Sequence, residues 1–401
     1  MDVTEKAIKI MKNSYVCDHC LGRQFAELLS GYSNKERGET LRKAVAMDYD
    51  SKPFPIHLPN FSGLRFRNSK PDIGKSGRCC VCGDLFSYME KYAKESEKKM
   101  KIYEFDTFVV GSKMSDSLVM KEESLWERVG IKGSEHLRSE VNRELGKLIE
   151  SMTGKQADEK NPNVTVLLDL QKKRVEIKSN PLYVYGKYNK LIRGIPQTKW
   201  SKYKVSVEDI IAKPFMKFSG ANGHSMHACG REDIDARCLG WRPFVLELEN
   251  PAKRKPDLSK MRKEINRAGK VKVKDMKFSN RKEVVAVKTM QPDKVYSVVV
   301  KFENPVEAME RIKKAIGTIK QRTPKRVLHR RANKLRNKKV KSIKWTKINK
   351  SKYKIVIHTE AGAYIKEFVS GDDGRTKPSI SEILKNRAVV ESLDVIKIMV
   401  R

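Results

Sequence analysis

Hydrophobic positions in this chain change their period several times, and each change marks an element. Residues 101–110 alternate apolar and polar, the period-two signature of a half-buried strand. Leu137, Val141, Leu145, Leu148, Ile149 and Met152 then recur at helical spacing, with Ser134 placed to cap the helix and Gly154 to end it. Two β-rich runs, 164–170 and 174–178, flank a short polar turn and predict a hairpin, with 181–186 as its extended exit. Beyond residue 203, strands alternate with helices. The runs 244–248, 283–288, 296–302 and 352–359 read as strands, and 305–316 and 379–386 as helices. Residues 90–101 are mostly charged and read as a helical linker.

Composition narrows the class. A chain of 401 residues favours two or three domains over one core, and a hydrophobic fraction of 39% excludes wholesale disorder. No apolar run approaches the ~18 residues of a membrane span, and the start lacks the basic-then-apolar order of a signal peptide, so a cytoplasmic protein is expected. The 85 Lys and Arg against 49 Asp and Glu leave a formal net charge of +36, far more than solubility needs. Nucleic acid is the expected partner, because no amphipathic helix with a broad apolar face is present to recruit the charge to a membrane. Basic residues cluster at 253–274 and, with no acid among them, at 323–344; the second run includes Arg326, Arg330 and Arg331. The apolar Val327, Leu328, Leu335 and Val340 inside it argue that it folds against a phosphate backbone.

Four of the seven cysteines form two pairs: Cys17-Asp18-His19-Cys20, and Cys79-Cys80-Val81-Cys82. A two-residue gap lets both thiolates of a pair reach one tetrahedral ion, so Cys17, Cys20, Cys79 and Cys82 are expected to hold a structural Zn2+. Either Cys79 or Cys80 can pair with Cys82; spacing favours Cys79, and His19 is left outside the ligand set.

Candidate chemistry sits at Gly230-Arg231-Glu232-Asp233-Ile234-Asp235-Ala236-Arg237, where acids stand between arginines in a chain built to hold polyanions. A carboxylate near phosphates weakens binding, so a catalytic use explains Asp233 better than affinity does. Residues 187–200 are basic and carry Tyr188 and Trp200, a composition that suits RNA stacking and an interdomain connection equally. His224, His227 and Cys229 lack a further ligand for a metal. No P-loop and no strand-linked Gly-x-Gly-x-x-Gly occurs, which argues against nucleotide or dinucleotide cofactors.

Residues 229–251, with Arg322-Thr323-Pro324, Val327-Leu328-His329-Arg330-Arg331 and the run Ala361-Gly362-Ala363-Tyr364-Ile365-Lys366-Glu367-Phe368, resemble the tenth class of pseudouridine synthases, tRNA-modifying enzymes of archaea and eukaryotes. Residues 182–200, above all 194–200, resemble the end of that family's THUMP-containing RNA-binding region, and the cysteine pairs fit its zinc-bearing amino terminus. The resemblance implies that Asp233 is the aspartate all pseudouridine synthases use, Tyr296 the active-site tyrosine, and Lys366 the basic partner of the aspartate. Ile365 would pack beneath them, and Arg231, Arg326, Arg330 and Arg331 are the further candidate substrate contacts. One departure is visible: Leu239-Gly240-Trp241-Arg242-Pro243-Phe244 is one residue shorter than the family's Leu-Gly-x-Gly-Arg-Pro-Phe.

The expected fold is a multidomain α+β protein with a zinc-binding segment (1–100), a THUMP-like RNA-binding domain (101–200) and a mixed-sheet catalytic domain (201–401). The resemblance implies a cofactor-free tRNA pseudouridine synthase acting at positions 54 and/or 55 of the T arm, and a monomer is the default expectation. Taken without it, the same residues also fit a non-catalytic RNA-binding or RNA-chaperone protein in which Asp233 is structural, since each candidate side chain has an ordinary structural use.

Overall fold

The computed structural model describes residues 2–329 and 331–400, and these divide into two compact units, Met1–Asn180 and Pro181–Arg401. Arg330, a candidate substrate contact, lies outside the described residues. Among the described residues no helix is long and apolar enough to cross a membrane.

The first unit packs helices around a four-stranded sheet of β1 (Thr107–Lys113), β2 (Gln156–Ala157), β3 (Val164–Asp169) and β4 (Arg174–Ser179), in the order β2-β1-β3-β4. β1 runs parallel to β3, and β3 and β4 form the expected hairpin. The predicted helix is Leu137–Thr153, and its stripe buries Leu137, Val141, Leu145 and Ile149 against that sheet. Its cap position is His136 rather than Ser134, while Gly154 closes the end in the left-handed region at φ +65°. Helix Met89–Met100 is not a linker. Tyr92, Ala93, Ser96 and Met100 face inward at i, i+4 spacing, and its charges face out. One continuous core runs from Ala7 to Val175, so residues 1–100 and the following sheet share their burial instead of forming separate domains.

The second unit is built on a ten-stranded sheet. Its strands are β5 (Leu182–Lys190), β6 (Gly223–Ala228), β7 (Arg237–Glu249), β8 (Val271–Ser279), β9 (Asp293–Phe302), β10 (Gly317–Arg322), β11 (Leu335–Lys347), β12 (Lys352–Thr359), β13 (Thr376–Lys377) and β14 (Ala388–Met399). The order is β13-β10-β11-β12-β9-β14-β7-β5-β8, with β6 also paired to β7. Residues 181–200, expected to finish the RNA-binding region, belong here, because β5 pairs with β7 on one side and β8 on the other. β14 is the seam of the sheet, antiparallel to β9 and parallel to β7. One core gathers Tyr296, Val298, Ile355, Phe368 and Val395, and another Val184, Tyr188, Phe215, Phe244 and Leu246.

Two further expectations change. Residues 283–288, read as a strand, lie in helix Arg281–Thr289. The Asn280 side chain accepts from Lys282 N and Glu283 N, and this cap overrides the β-branched composition while Val284 and Val287 turn one face to the sheet. Residues 309–315 take tight helical turns rather than a regular α-helix. The shortened run at 239–244 lies inside β7, and the pairing of β7 with β5 shifts register across it, between the Tyr188–Arg242 and Lys190–Cys238 pairs.

Candidate functional site

Two sites stand apart in the chain, one in each unit. In the first, Cys17 caps helix Asp18–Gly22, which lies against helix Asn34–Ser51 with the two backbones in contact. Glycine makes that approach possible, since a Cβ on Gly22 would stand 1.8 Å from Asn34 O and one on Gly38 2.0 Å from Asp18 O. Asn60 fixes the loop before it, accepting from Val16 N at 3.0 Å and donating to Met11 O and Ser14 O at 2.9 Å. The second knuckle is joined to the first by Cys80 N donating to Tyr15 O at 2.9 Å and Cys17 N to Cys79 Sγ at 3.3 Å.

These contacts bring the sulfurs of Cys17, Cys20, Cys79 and Cys82 within 4.8 Å of one another. A tetrahedral ion with metal–sulfur bonds of ~2.3 Å spaces its ligands by roughly 3.8 Å, and Cys17 Sγ to Cys82 Sγ is 3.6 Å. The residues therefore fit one metal ion, with Cys79 rather than Cys80 in the group. His19 is turned to other work, 2.8 Å from Glu140 and stacked on Phe86.

In the second unit the candidate residues sit on the loop between β6 and β7. Its backbone is clamped from beneath. Lys190, fully buried, donates to Asp233 O and Ile234 O at 3.1 Å and to Ile195 O at 2.8 Å. Arg193 donates to Asp235 O at 2.7 Å, Gln197 to Gly230 O at 2.9 Å and Arg242 to Cys229 O at 2.7 Å. Gly230 has φ +76°, and a Cβ there would meet Lys294 Nζ at 3.1 Å and Arg242 Nη1 at 3.2 Å. The buried Glu232 faces Arg242 at 3.1 Å and accepts from the Tyr188 hydroxyl at 3.0 Å, so Tyr188 has no free face for stacking. A dry carboxylate with a guanidinium and a phenol around it is held tightly, because removing the guanidinium would strand its buried charge.

Above this clamp the Asp233 side chain stays 37% exposed. Arg326 Nη1 lies 3.3 Å from its carboxylate, and Lys366 Nζ 3.5 Å. Lys366 is closer to Asp235, at 2.7 Å, and although burial raises the Asp235 carboxyl, this lysine draws it below its usual range. Arg326 is itself oriented by the buried Glu367, which accepts from Nε at 2.6 Å. Tyr296, on β9, is buried and within electrostatic reach of Asp233, and burial pushes its phenol up to about 12. Ile365 is buried in the same core as Tyr296. Arg331 donates to the Tyr364 hydroxyl at 3.0 Å at the surface, and Arg231 is exposed.

The structure thus brings Asp233, Arg326, Lys366, Tyr296 and Ile365 to one place. Sequence reasoning missed the support beneath: Lys190, Arg193, Gln197, Glu232, Arg242 and Glu367. The available signals were weak, a lysine ending an aromatic-rich strand and an arginine inside the apolar run of β7. The histidines of β6 go to separate carboxylates, His224 to Glu208 at 3.2 Å and His227 to Glu247 at 2.8 Å, and share no point.

Two family models match this architecture, "Pus10, C-terminal" over residues 183–399 and "Pus10 THUMP domain, archaeal" over 92–169. The tRNA pseudouridine synthase Pus10 of Methanothrix thermoacetophila is 38% identical over 428 residues, covering 99% of this chain and 94% of its own. This chain belongs to the Pus10 family. The Pus10 relative from Pyrococcus furiosus is 37% identical, with 99% of this chain and 98% of its own covered, and that from Thermoplasma acidophilum 36%, with 98% of each. Family membership makes the chain an isomerase, with a THUMP domain in the first unit and the Pus10 carboxyl-terminal region spanning nearly all of the second.

Proposed function

We propose that this chain converts uridine to pseudouridine in tRNA, at position 54, position 55 or both in the T arm, with Asp233 as the group acting at the sugar. The observation that carries the reading is the contrast at Asp233: a backbone pinned by Lys190 and Arg242 beneath, and an accessible carboxylate between Arg326 and Lys366 above. Isomerisation breaks the N1–C1′ bond, rotates the uracil and forms C5–C1′; C5 loses a proton and N1 takes one up, so no external reactant is consumed. A carboxylate at the sugar is needed whether it attacks C1′ or removes a sugar proton, and the flanking cations offset its repulsion from the RNA phosphates. Arg326, held by Glu367, aligns the carboxylate, and Lys366 divides its charge between Asp233 and Asp235. The neutral Tyr296 phenol and Ile365 supply a surface against which the displaced base can turn. The base must leave its stack to reach the site, which suits a loop nucleotide.

Zinc is the proposed metal of the cysteine group. Four thiolates close its coordination shell and leave no site for substrate, so its role is to tie the two knuckles together. The THUMP-bearing unit would dock the body of the tRNA.

The test is to incubate the protein with an unmodified tRNA transcript and no added cofactor, then map pseudouridine by carbodiimide-dependent reverse-transcription stops. Stops in the T loop with the wild type and none with Asp233→Asn are expected. Tight tRNA binding by the wild type with no stops anywhere would sink the reading.

A further inference from the structure

Between β5 and helix Val207–Ser219 the chain makes a loop whose ends meet. Val207 N donates to Pro196 O and Glu208 N to Gln197 O, both at 3.0 Å, the geometry of a compact Ω-type surface loop. The base is bonded to the Asp233 loop through Gln197 Nε2 to Gly230 O and Gly194 N to Ile234 O, each 2.9 Å. Pro196, Gln197, Ser206 and Val207 are buried, yet every residue from 199 to 205 is exposed.

That tip carries two aromatic rings. Trp200 and Tyr203 are each 37% exposed, with centroids 5.5 Å apart and planes tilted by 39°, and Tyr203 N donates to Trp200 O at 2.9 Å. Lys202 Nζ lies 5.7 Å over the Trp200 ring, and Lys199 and Lys204 flank the pair. No acid occurs from residue 187 through 207. Large aromatics held in the open by a closed loop serve no core, which marks a contact surface. A protein partner would select against lysine at the contact, and a membrane would need a broader apolar face. Lysines interleaved with exposed rings suit a single-stranded nucleic acid, which offers a base to stack and phosphates on either side.

We propose that this loop is a stacking platform for the substrate RNA. Trp200 and Tyr203 receive an unpaired base neighbouring the uridine presented to Asp233, and Lys199, Lys202 and Lys204 contact the phosphates flanking it. This rests on the reading of the chain as an RNA isomerase. It adds a requirement of that site, an unpaired neighbour that stacks, which a paired stem cannot meet.

The test uses the full chain carrying Trp200→Ala with Tyr203→Ala, beside Trp200→Phe with Tyr203→Phe. tRNA affinity, kcat and KM for pseudouridine formation, and Tm are measured for each. The alanine pair is expected to weaken Kd and raise KM by about 10-fold or more, with the loss in KM rather than kcat, an unchanged Tm, and recovery in the phenylalanine pair. Quenching of indole fluorescence on adding tRNA should lose its Trp200 component in the Trp200→Phe chain. Wild-type Kd and KM in the alanine pair would overturn the platform, as would an equal loss in both pairs accompanied by a lowered Tm. A wild-type chain that forms no pseudouridine overturns instead the reading on which the platform rests, so the two failures are distinct.

Discussion

Asp233 and Asp235 have the same chemistry and different company. Asp235 is largely exposed and takes the near contact of Lys366, whereas Asp233 sits at the meeting point of Arg326 and Lys366 over a pinned backbone. Asp233→Asn should abolish pseudouridine formation with tRNA affinity within about twofold of wild type, because the amide keeps the shape and loses the charge; parallel loss of binding would mark a structural aspartate. Asp235→Asn should lower turnover far less. Tyr296 makes a pH prediction. Its folded phenol is raised to about 12 by burial, against an ordinary value near 10. Between those values the unfolded chain has released a proton that the folded chain still holds, so stability falls as pH rises from about 10 to about 12. Comparing urea midpoints of wild type and Tyr296→Phe at pH 9.5 and 11.5 should show this extra loss, on the order of 2 kcal/mol, in the wild type alone. Below pH 9 the tyrosine should contribute no ionisation to the rate profile.

At the scale of elements, the loop between β6 and β7 depends on one left-handed glycine. Gly230→Ala forces a side chain into the positive-φ region and toward Lys294 and Arg242, and should cost about 1–3 kcal/mol, read as a lower Tm together with a reduced kcat. Arg242→Met should cost more, about 3–5 kcal/mol, because it leaves Glu232 buried and unpaired. Adding Glu232→Gln should recover part of that loss while keeping an acceptor for Tyr188; urea unfolding of the single and double variants measures it. The sequence exposed these elements unequally. The helix Leu137–Thr153 and the hairpin β3–β4 were legible because burial imposes periods of 3.6 and 2 on neighbouring residues. Residues 283–288 misled because the Asn280 cap, and not the valines, decides their backbone. Lys190 and Gln197 could not be read as site residues at all, since their partners are backbone carbonyls some 30 to 45 positions away, and any residue type supplies a carbonyl. Arg326 was legible as one of a run of basic residues, but its anchor Glu367 was not, because nothing in the linear order pairs them.

Two expectations belong to the whole molecule. With a formal net charge of +36, tRNA binding should weaken steeply with salt. Six or more phosphate contacts would lower the affinity by at least about a thousandfold between ~50 and ~200 mM salt, and a flat salt response in filter binding would remove the phosphate-gripping surface from the account. Elemental analysis should find about one zinc per chain. Stripping it with a strong chelator should destabilise the first unit, followed by exchange protection of its amides, while amides of β9 and β14 keep their protection.

β14 is the seam of the second sheet, and among the described strands it is the last to be synthesised. Until residues 388–399 emerge, β7, β5 and β8 with the Asp233 loop have no edge joining them to β9, β10, β11 and β12, which bring Tyr296, Arg326 and Lys366. Asp394 completes the join by binding Arg237 and Arg193 together. A chain cut short of β14 therefore carries Asp233 and its cations on separate pieces of sheet, and the centre proposed at Asp233 is expected to assemble only once β14 is in place. Ribosome-stalled chains ending before residue 388 should show no isomerisation, and adding the missing strand as a separate peptide is the direct way to switch the stalled product on.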